Sequence, residues 1–189
     1  ERELINNSAL KQEHRLNISG GSENTTYFIG ADYLDMYGNI KTSRFERLGF
    51  RANVDSKVNT WLKVGLNTSF SASSQNYPMQ SGSAFQSPIQ WVYTLSGIYP
   101  VYMRDEKGNI ILDAFGRSQY DYGDNAVSGR PVNAQRPLLA NENALGALYN
   151  NKIRYNRYDT FINGYAEVTL TDYLKLRSQG SFQLYNYDS

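Results

Sequence analysis

The strongest constraint in this sequence is a period-two alternation of apolar and polar side chains, sustained over long windows. From Arg47 to Asp55, Leu48, Phe50, Ala52 and Val54 share one parity, and Arg47, Gly49, Arg51, Asn53 and Asp55 share the other. From Leu62 to Ala72, Leu62, Val64, Leu66, Thr68, Phe70 and Ala72 oppose Lys63, Gly65, Asn67, Ser69 and Ser71. From Tyr158 to Leu170, Tyr158, Thr160, Ile162, Gly164, Ala166, Val168 and Leu170 oppose Arg157, Asp159, Asn163 and Glu167, with Phe161 and Tyr165 as aromatic exceptions. From Leu174 to Leu184, Leu174, Leu176, Phe182 and Leu184 oppose Lys175, Arg177, Gln179, Ser181 and Gln183. An extended chain turns successive side chains to opposite faces, so these windows predict strands with one apolar face. Two more strands are expected near 12–20 and 25–36, the second with Tyr27, Ile29, Ala31 and Tyr33 on one face. A tilted strand needs about 10 residues to cross a bilayer, whereas globular strands average about 5–6. The length favours a barrel wall.

Proline deepens the pattern. All five prolines, Pro78, Pro88, Pro100, Pro131 and Pro137, fall in one stretch. Proline cannot donate to a strand ladder, so strand-rich regions avoid it. The chain therefore divides into strands and turns over 1–76, a long loop over 77–152, and a strand hairpin over 153–189. The connections run short, long, short, very long, short. Membrane barrels have short turns on one side and longer loops on the other, which yields this order. Val58-Asn59-Thr60-Trp61-Leu62-Lys63-Val64 is echoed by Leu170-Thr171-Asp172-Tyr173-Leu174-Lys175-Leu176. In each copy the first and fifth residues must share a face, so each hairpin is expected to close on an odd loop: Asn59–Trp61 and Thr171–Tyr173.

Composition enters mainly by exclusion. Cysteine is absent and His14 is the single histidine, which removes disulfides, thiol nucleophiles and multi-His metal sites. Nineteen basic against 18 acidic residues leave a net charge of +1, no footprint for nucleic acid. Mean hydropathy is −0.58 and no apolar run is long enough for a membrane helix. Alternating barrel strands average out as polar, so they survive this test. No nucleotide-binding glycine loop and no catalytic constellation is present. Glu46 and Asp55 differ in parity and make no glycosidase pair. The chain is not expected to be an enzyme or to need a cofactor or metal.

The long segment is the expected place for ligand or partner contact, because function concentrates on long loops held by a rigid scaffold. Residues 78–103 carry no charge. A short helix is expected near 84–96 and a hairpin around Arg104–Asn109. Asp105–Asn109 lacks the ligand spacing of a calcium loop. Trp91, Tyr93, Tyr99, Tyr102, Tyr120 and Tyr122 are the candidate contact residues, either for stacking on sugar rings or for a partner surface. Packing of the loop on itself is the competing role for each of them.

Beyond the pattern, the order of short motifs is distinctive. Ser19-Gly20-Gly21, Asn24-Thr25-Thr26-Tyr27, Gly30, Tyr33-Leu34-Asp35 and Gly38-Asn39-Ile40 occur in that order. Phe45-Glu46-Arg47, Arg51–Val58 and Trp61–Asn67 follow, then Ile98-Tyr99-Pro100-Val101-Tyr102. These pieces resemble the barrel of SusC/RagA-family TonB-dependent transporters. The resemblance implies an all-β fold, with about six antiparallel strands taken from a barrel of about 22. It implies an outer-membrane importer of oligosaccharides or peptides in Bacteroidetes, working with a SusD-like surface lipoprotein and energised through TonB. No plug, TonB box or barrel-closing strand is found, so a mid-barrel piece is expected. TonB would act through a plug region that these residues do not contain. In that setting Leu48, Phe50, Ala52, Val54, Leu62, Val64, Leu66, Phe70, Ile162, Ala166, Val168 and Leu176 face lipid. Tyr33, Tyr37, Trp61 and Tyr173 are candidates for the aromatic girdles. The competing expectation is a soluble or surface-attached glycan-binding module, with shorter strands in two packed sheets.

Overall fold

The computed structural model describes residues 3–77, 90, 99–123, 143–150 and 153–188. Six strands follow in order: β1 (Lys11–Gly21), β2 (Thr25–Tyr37), β3 (Arg44–Lys57), β4 (Leu62–Tyr77), β5 (Ile153–Thr171) and β6 (Leu174–Asp188). A short helix, α1 (Ala144–Asn150), precedes β5. The helix expected near 84–96 lies, apart from Gln90, outside the described residues. Each strand window read from the alternation is a strand, and each runs longer than its window. The strands span 11 to 19 residues.

The six strands form one sheet in sequence order, each hydrogen-bonded to its neighbours. β1 with β2, β2 with β3, β3 with β4, and β5 with β6 all pair antiparallel. A packed second sheet, which a soluble module would need, is not seen among the described residues. The chain forms two compact units. One comprises Ser8–Gly38, Arg44–Asn76 and Arg154–Ser189, and the other Glu1–Asn7, Asn39–Ser43 and Tyr77–Ile153.

Within the strand unit, register gathers each parity class on one face. Ile18 pairs with Ile29, and Ile29 with Ala52, which pairs with Thr68. Ala31 pairs with Phe50, which pairs with Phe70. Ile162 pairs with Phe182, and Val168 with Leu176. This apolar face is open. Leu48, Phe50, Val54, Leu66, Phe70, Ile162 and Leu176 are exposed, Leu176 at 62%. Ala52, Leu62, Val64, Ala166 and Val168 are half-buried.

The two echoed turns close differently. In the first, the Val58 N–H donates to the Leu62 carbonyl at 2.9 Å, and the loop is Asn59–Trp61 as expected. The Asn59 side-chain oxygen accepts from the Trp61 and Leu62 N–H groups at 3.0 and 2.8 Å. In the second, Thr171 pairs directly with Leu174, and a register shift falls between Thr169 and Thr171. The expected three-residue loop is thus a two-residue turn plus a bulge. The bulge supplies the extra residue that parity demands. Thr171 occupies the place of Asn59 in the echo.

Candidate functional site

The polar face of the strand unit is built around three glycines in mid-strand. Gly30, Gly49 and Gly65 are buried under side chains from neighbouring strands. A Cβ on Gly49 would collide with the Asp32 carboxylate, and one on Gly65 would collide with the Tyr165 ring. Because Gly65 has no side chain, the Tyr165 ring lies across β4. Its hydroxyl donates to Asp55 on β3. The Arg177 guanidinium stacks on the same ring at 3.9 Å from its centroid. Tyr165, an exception to the alternation, is therefore a tie spanning β3 to β6. Elsewhere on this face, Arg47 pairs with Asp32 at 3.1 Å, and Glu13 takes Arg15. At the end of the sheet where β2 meets β3, Arg44 holds Asp35 through two hydrogen bonds of 2.9 Å.

The loop unit is built around two copies of one turn. Asp105-Glu106-Lys107-Gly108-Asn109 and Asp113-Ala114-Phe115-Gly116-Arg117 share Asp and Gly at matching places. In each, the first residue's N–H donates to the last residue's carbonyl, at 2.9 and 2.8 Å. Each Asp oxygen accepts two backbone N–H groups: those of Lys107 and Asn109, and those of Phe115 and Arg117. Each Gly has positive φ, +85° and +77°, the left-handed region that glycine enters without strain. The expected hairpin at Arg104–Asn109 is present, with an Arg104–Ile110 bridge. Met103 N–H donates to Gln119, Gln119 N–H to Ile111, and Ile111 N–H to Met103, so three segments close on one another. The backbone N–H of Arg117, then its guanidinium and the Phe115 N–H, hold the Asp113 carboxyl below its usual pKa.

Helix α1 is capped from the front. The buried Asn143 accepts from the Gly146 N–H at 2.8 Å through Oδ1. Its Nδ2 donates to the Val101 and Asp121 carbonyls at 2.9 and 2.8 Å, joining the helix to the hairpin strands. Leu145 and Leu148 form a small core with Leu4, against which Ile40, Val101, Tyr102 and Tyr120 pack.

Beside that core lies an open cleft lined by Tyr102, Tyr120, Tyr122, Asp113, Arg117 and Asn150. Tyr102 and Tyr120 stack with centroids 5.5 Å apart and planes 27° apart. Burial raises the Tyr120 phenol pKa, and Tyr102 adds to the effect. The Tyr122 hydroxyl accepts from Asn150 Nδ2 at 3.2 Å and stands over Gly146. Three of the six candidate aromatics are thus brought together. Tyr99 is half-buried and does not line the cleft, and Trp91 and Tyr93 lie outside the described residues. The sequence reading missed Asp113, Arg117 and Asn150. The repeated Asp-x-x-Gly turn was the signal for the first two; Asn150 had none. Among the described residues no cluster of His, Cys, Asp and Glu could hold a metal ion.

No protein-family model matches the chain. Over 86 residues it is 34% identical to TonB-dependent receptor P26 of Formosa agariphila, covering 44% of this chain and 9% of that protein. Over 53 residues it is 40% identical to TonB-dependent receptor P3 of the same organism, covering 28% of this chain and 5% of that protein. Among solved structures, the RagAB peptide importer in its closed-closed state aligns with TM-score 0.60 and 22% identity, over 98% of this chain and 18% of that one. The open-open state aligns with TM-score 0.59 and 25% identity, over 95% of this chain and 18% of that one. These relatives are named as receptors and importers, not as enzymes, and this chain spans less than one fifth of each. Likeness in sequence and likeness in fold therefore converge: the chain is similar to a part of TonB-dependent receptors in sequence and to a part of the RagAB peptide importer in fold.

Proposed function

We propose that these residues form part of the wall and one external loop of an outer-membrane nutrient importer. Its cargo is an oligosaccharide or a peptide. It is energised through TonB and works with a SusD-like surface lipoprotein. The observation that carries this reading is the sheet, with six consecutive strands, one continuous apolar face left open, and alternately short and long connections. Exposing that face to water costs about 25 cal/mol per Å² of apolar surface, a cost that acyl chains remove. Leu48, Phe50, Val54, Leu66, Ile162 and Leu176, with the smaller side chains between them, face lipid, and the polar face lines the barrel interior. Trp61 and Tyr173, both exposed in turns, sit at one rim.

The long loop is the external one, and its cleft is the contact site. The Tyr102–Tyr120 pair offers ring faces, while Arg117, Asp113 and Asn150 offer polar groups around them. Such a mixture suits a sugar ring or a peptide side chain. The solved relative is a peptide importer, which supports a peptide cargo here without separating it from a glycan.

Cell fractionation tests the reading, with blotting by an antibody raised against 77–152. The expected result is an outer-membrane band several times heavier than the 21.5 kDa of these residues. A soluble band near 21.5 kDa would overturn it and leave an independent β-module.

A further inference from the structure

We propose that a notch at Gly65 and the Tyr165 ring together select the register in which β5 joins β4. Four of the five neighbouring strand pairs are aligned by short connections, residues 22–24, 38–43, 58–61 and 172–173. A tight turn fixes register by its own geometry. β4 and β5 are separated by residues 78–152, and a connection of that length leaves register open. Side chains must therefore set it. The selection would operate whatever medium meets the apolar face.

The alternation does only half of this. A slip of one residue would turn every apolar side chain of β5 to the polar face. A slip of two keeps both faces intact. The Thr169 N–H donates to the Trp61 carbonyl at 2.8 Å, and stepping from that bond along both strands sets Thr68 opposite Ile162 and Phe70 opposite Thr160. After a slip of two, Leu66 would meet Ile162 and Phe70 would meet Tyr158, still apolar against apolar. The open face does not discriminate between these arrangements.

The polar face does. Gly65 is the single glycine of β4, and Lys63 and Asn67 flank it on the same face. The Tyr165 ring fills the place of its missing Cβ, and the hydroxyl passes over β4 to Asp55, the β3 partner of Gly65. Sliding β5 by two residues would set the ring on Lys63 or on Asn67, each with a side chain where the ring must lie. Across β4 from those residues stand Lys57 and Asn53. Lys57 has no acceptor for the hydroxyl, and Asn53 has no negative charge to strengthen the bond. Phe161, the next aromatic along this face of β5, carries no hydroxyl at all. Gly30 and Gly49 are covered by Asn17 and Asp32 in the same manner, but between strands that short turns already align.

The test reads register directly in the full-length receptor in outer membranes, after the band above has been located there. A failure of the barrel reading is therefore seen first and separately. Residues 1–189 contain no cysteine, and any elsewhere in the parent chain is replaced by Ser. Thr68→Cys with Ile162→Cys should form a disulfide on oxidation, and Thr68→Cys with Thr160→Cys should form at least tenfold less. Exchanging the notch with its neighbour, as Lys63→Gly with Gly65→Lys, leaves the composition unchanged and moves the notch by two residues. The preference should then reverse, with the link to position 160 dominant. A swapped chain that links only to position 162, as before, would overturn the proposal. Tyr165→Ala removes the ring without adding bulk. It should weaken the link to position 162 severalfold and bring up links to 160 or to Gly164→Cys. Unchanged linking in Tyr165→Ala would make the ring a packing residue and overturn the proposal. So would loss of either variant from the membrane with no slipped link trapped during assembly.

Discussion

The two units solve the stability problem in opposite ways. The strand unit leaves its apolar side chains open and holds itself by backbone ladders and by polar side chains laid over glycines. The loop unit buries Leu4, Leu145 and Leu148 and ties its backbone with Asn143, Asp105 and Asp113. The difference teaches how each unit is held together, and it suits the proposed settings: a sheet whose apolar face meets lipid carries its specific contacts on its polar side, and an external loop in water must build its own core, however small, and bind its own carbonyls.

The largest expected effect tests the core of the loop unit. Leu148 is 2% exposed, so Leu148→Ala should cost about 2–5 kcal/mol of that unit's stability. Limited proteolysis of the full-length protein should then cut within 77–152 much faster, while the strands keep their resistance. Equal loss in both units would erase the contrast. Next, Ala52→Arg places a charge mid-strand on the apolar face and should cost about 2–4 kcal/mol near the bilayer midplane. Gln183→Arg, on the polar face of β6, should cost far less. Folding titrations in lipid would expose a wrong face assignment if the two matched.

A smaller effect probes the polar face. Tyr165→Phe removes the hydroxyl that reaches Asp55 and should cost about 1 kcal/mol. Gly65→Ala displaces the same ring, so the double variant should cost less than the sum of the two. Additivity would mean that the ring is no tie. The smallest effect is pH-dependent and confined to the loop. The Asp113 carboxyl is held below its usual pKa by the Arg117 N–H, the Arg117 guanidinium and the Phe115 N–H. Its stabilisation is present above the unfolded carboxylate pKa of about 3.9 and fades as pH falls through the lower folded value. Amide exchange at Phe115 and Arg117 should therefore accelerate relative to Asp113→Asn on acidification, with β3 amides unaffected.

The sequence was most legible where a residue's role depended only on its neighbours along the chain. Alternation placed all six strands, and parity required an odd loop at Asn59–Trp61. The same parity argument misplaced the second turn, because a two-residue turn with a bulge satisfies it equally well. Turn chemistry announced the Arg104–Asn109 hairpin. Helix α1 was not foreseen, since Ala144–Asn150 is too short for a periodic signal and its cap, Asn143, reads as one polar residue among many.

Sequence by itself determined that this chain forms long strands with one apolar face and a proline-rich interruption, because side-chain direction in an extended chain depends on parity alone. It also carried the likeness to SusC/RagA transporters. Only the tertiary structure decided which residues share a site. Tyr102 stacks on Tyr120, Asn150 donates to the Tyr122 hydroxyl, and Tyr165 reaches Asp55 over Gly65. Those outcomes depend on strand register and on contacts between residues far apart in the chain, and no local pattern encodes them.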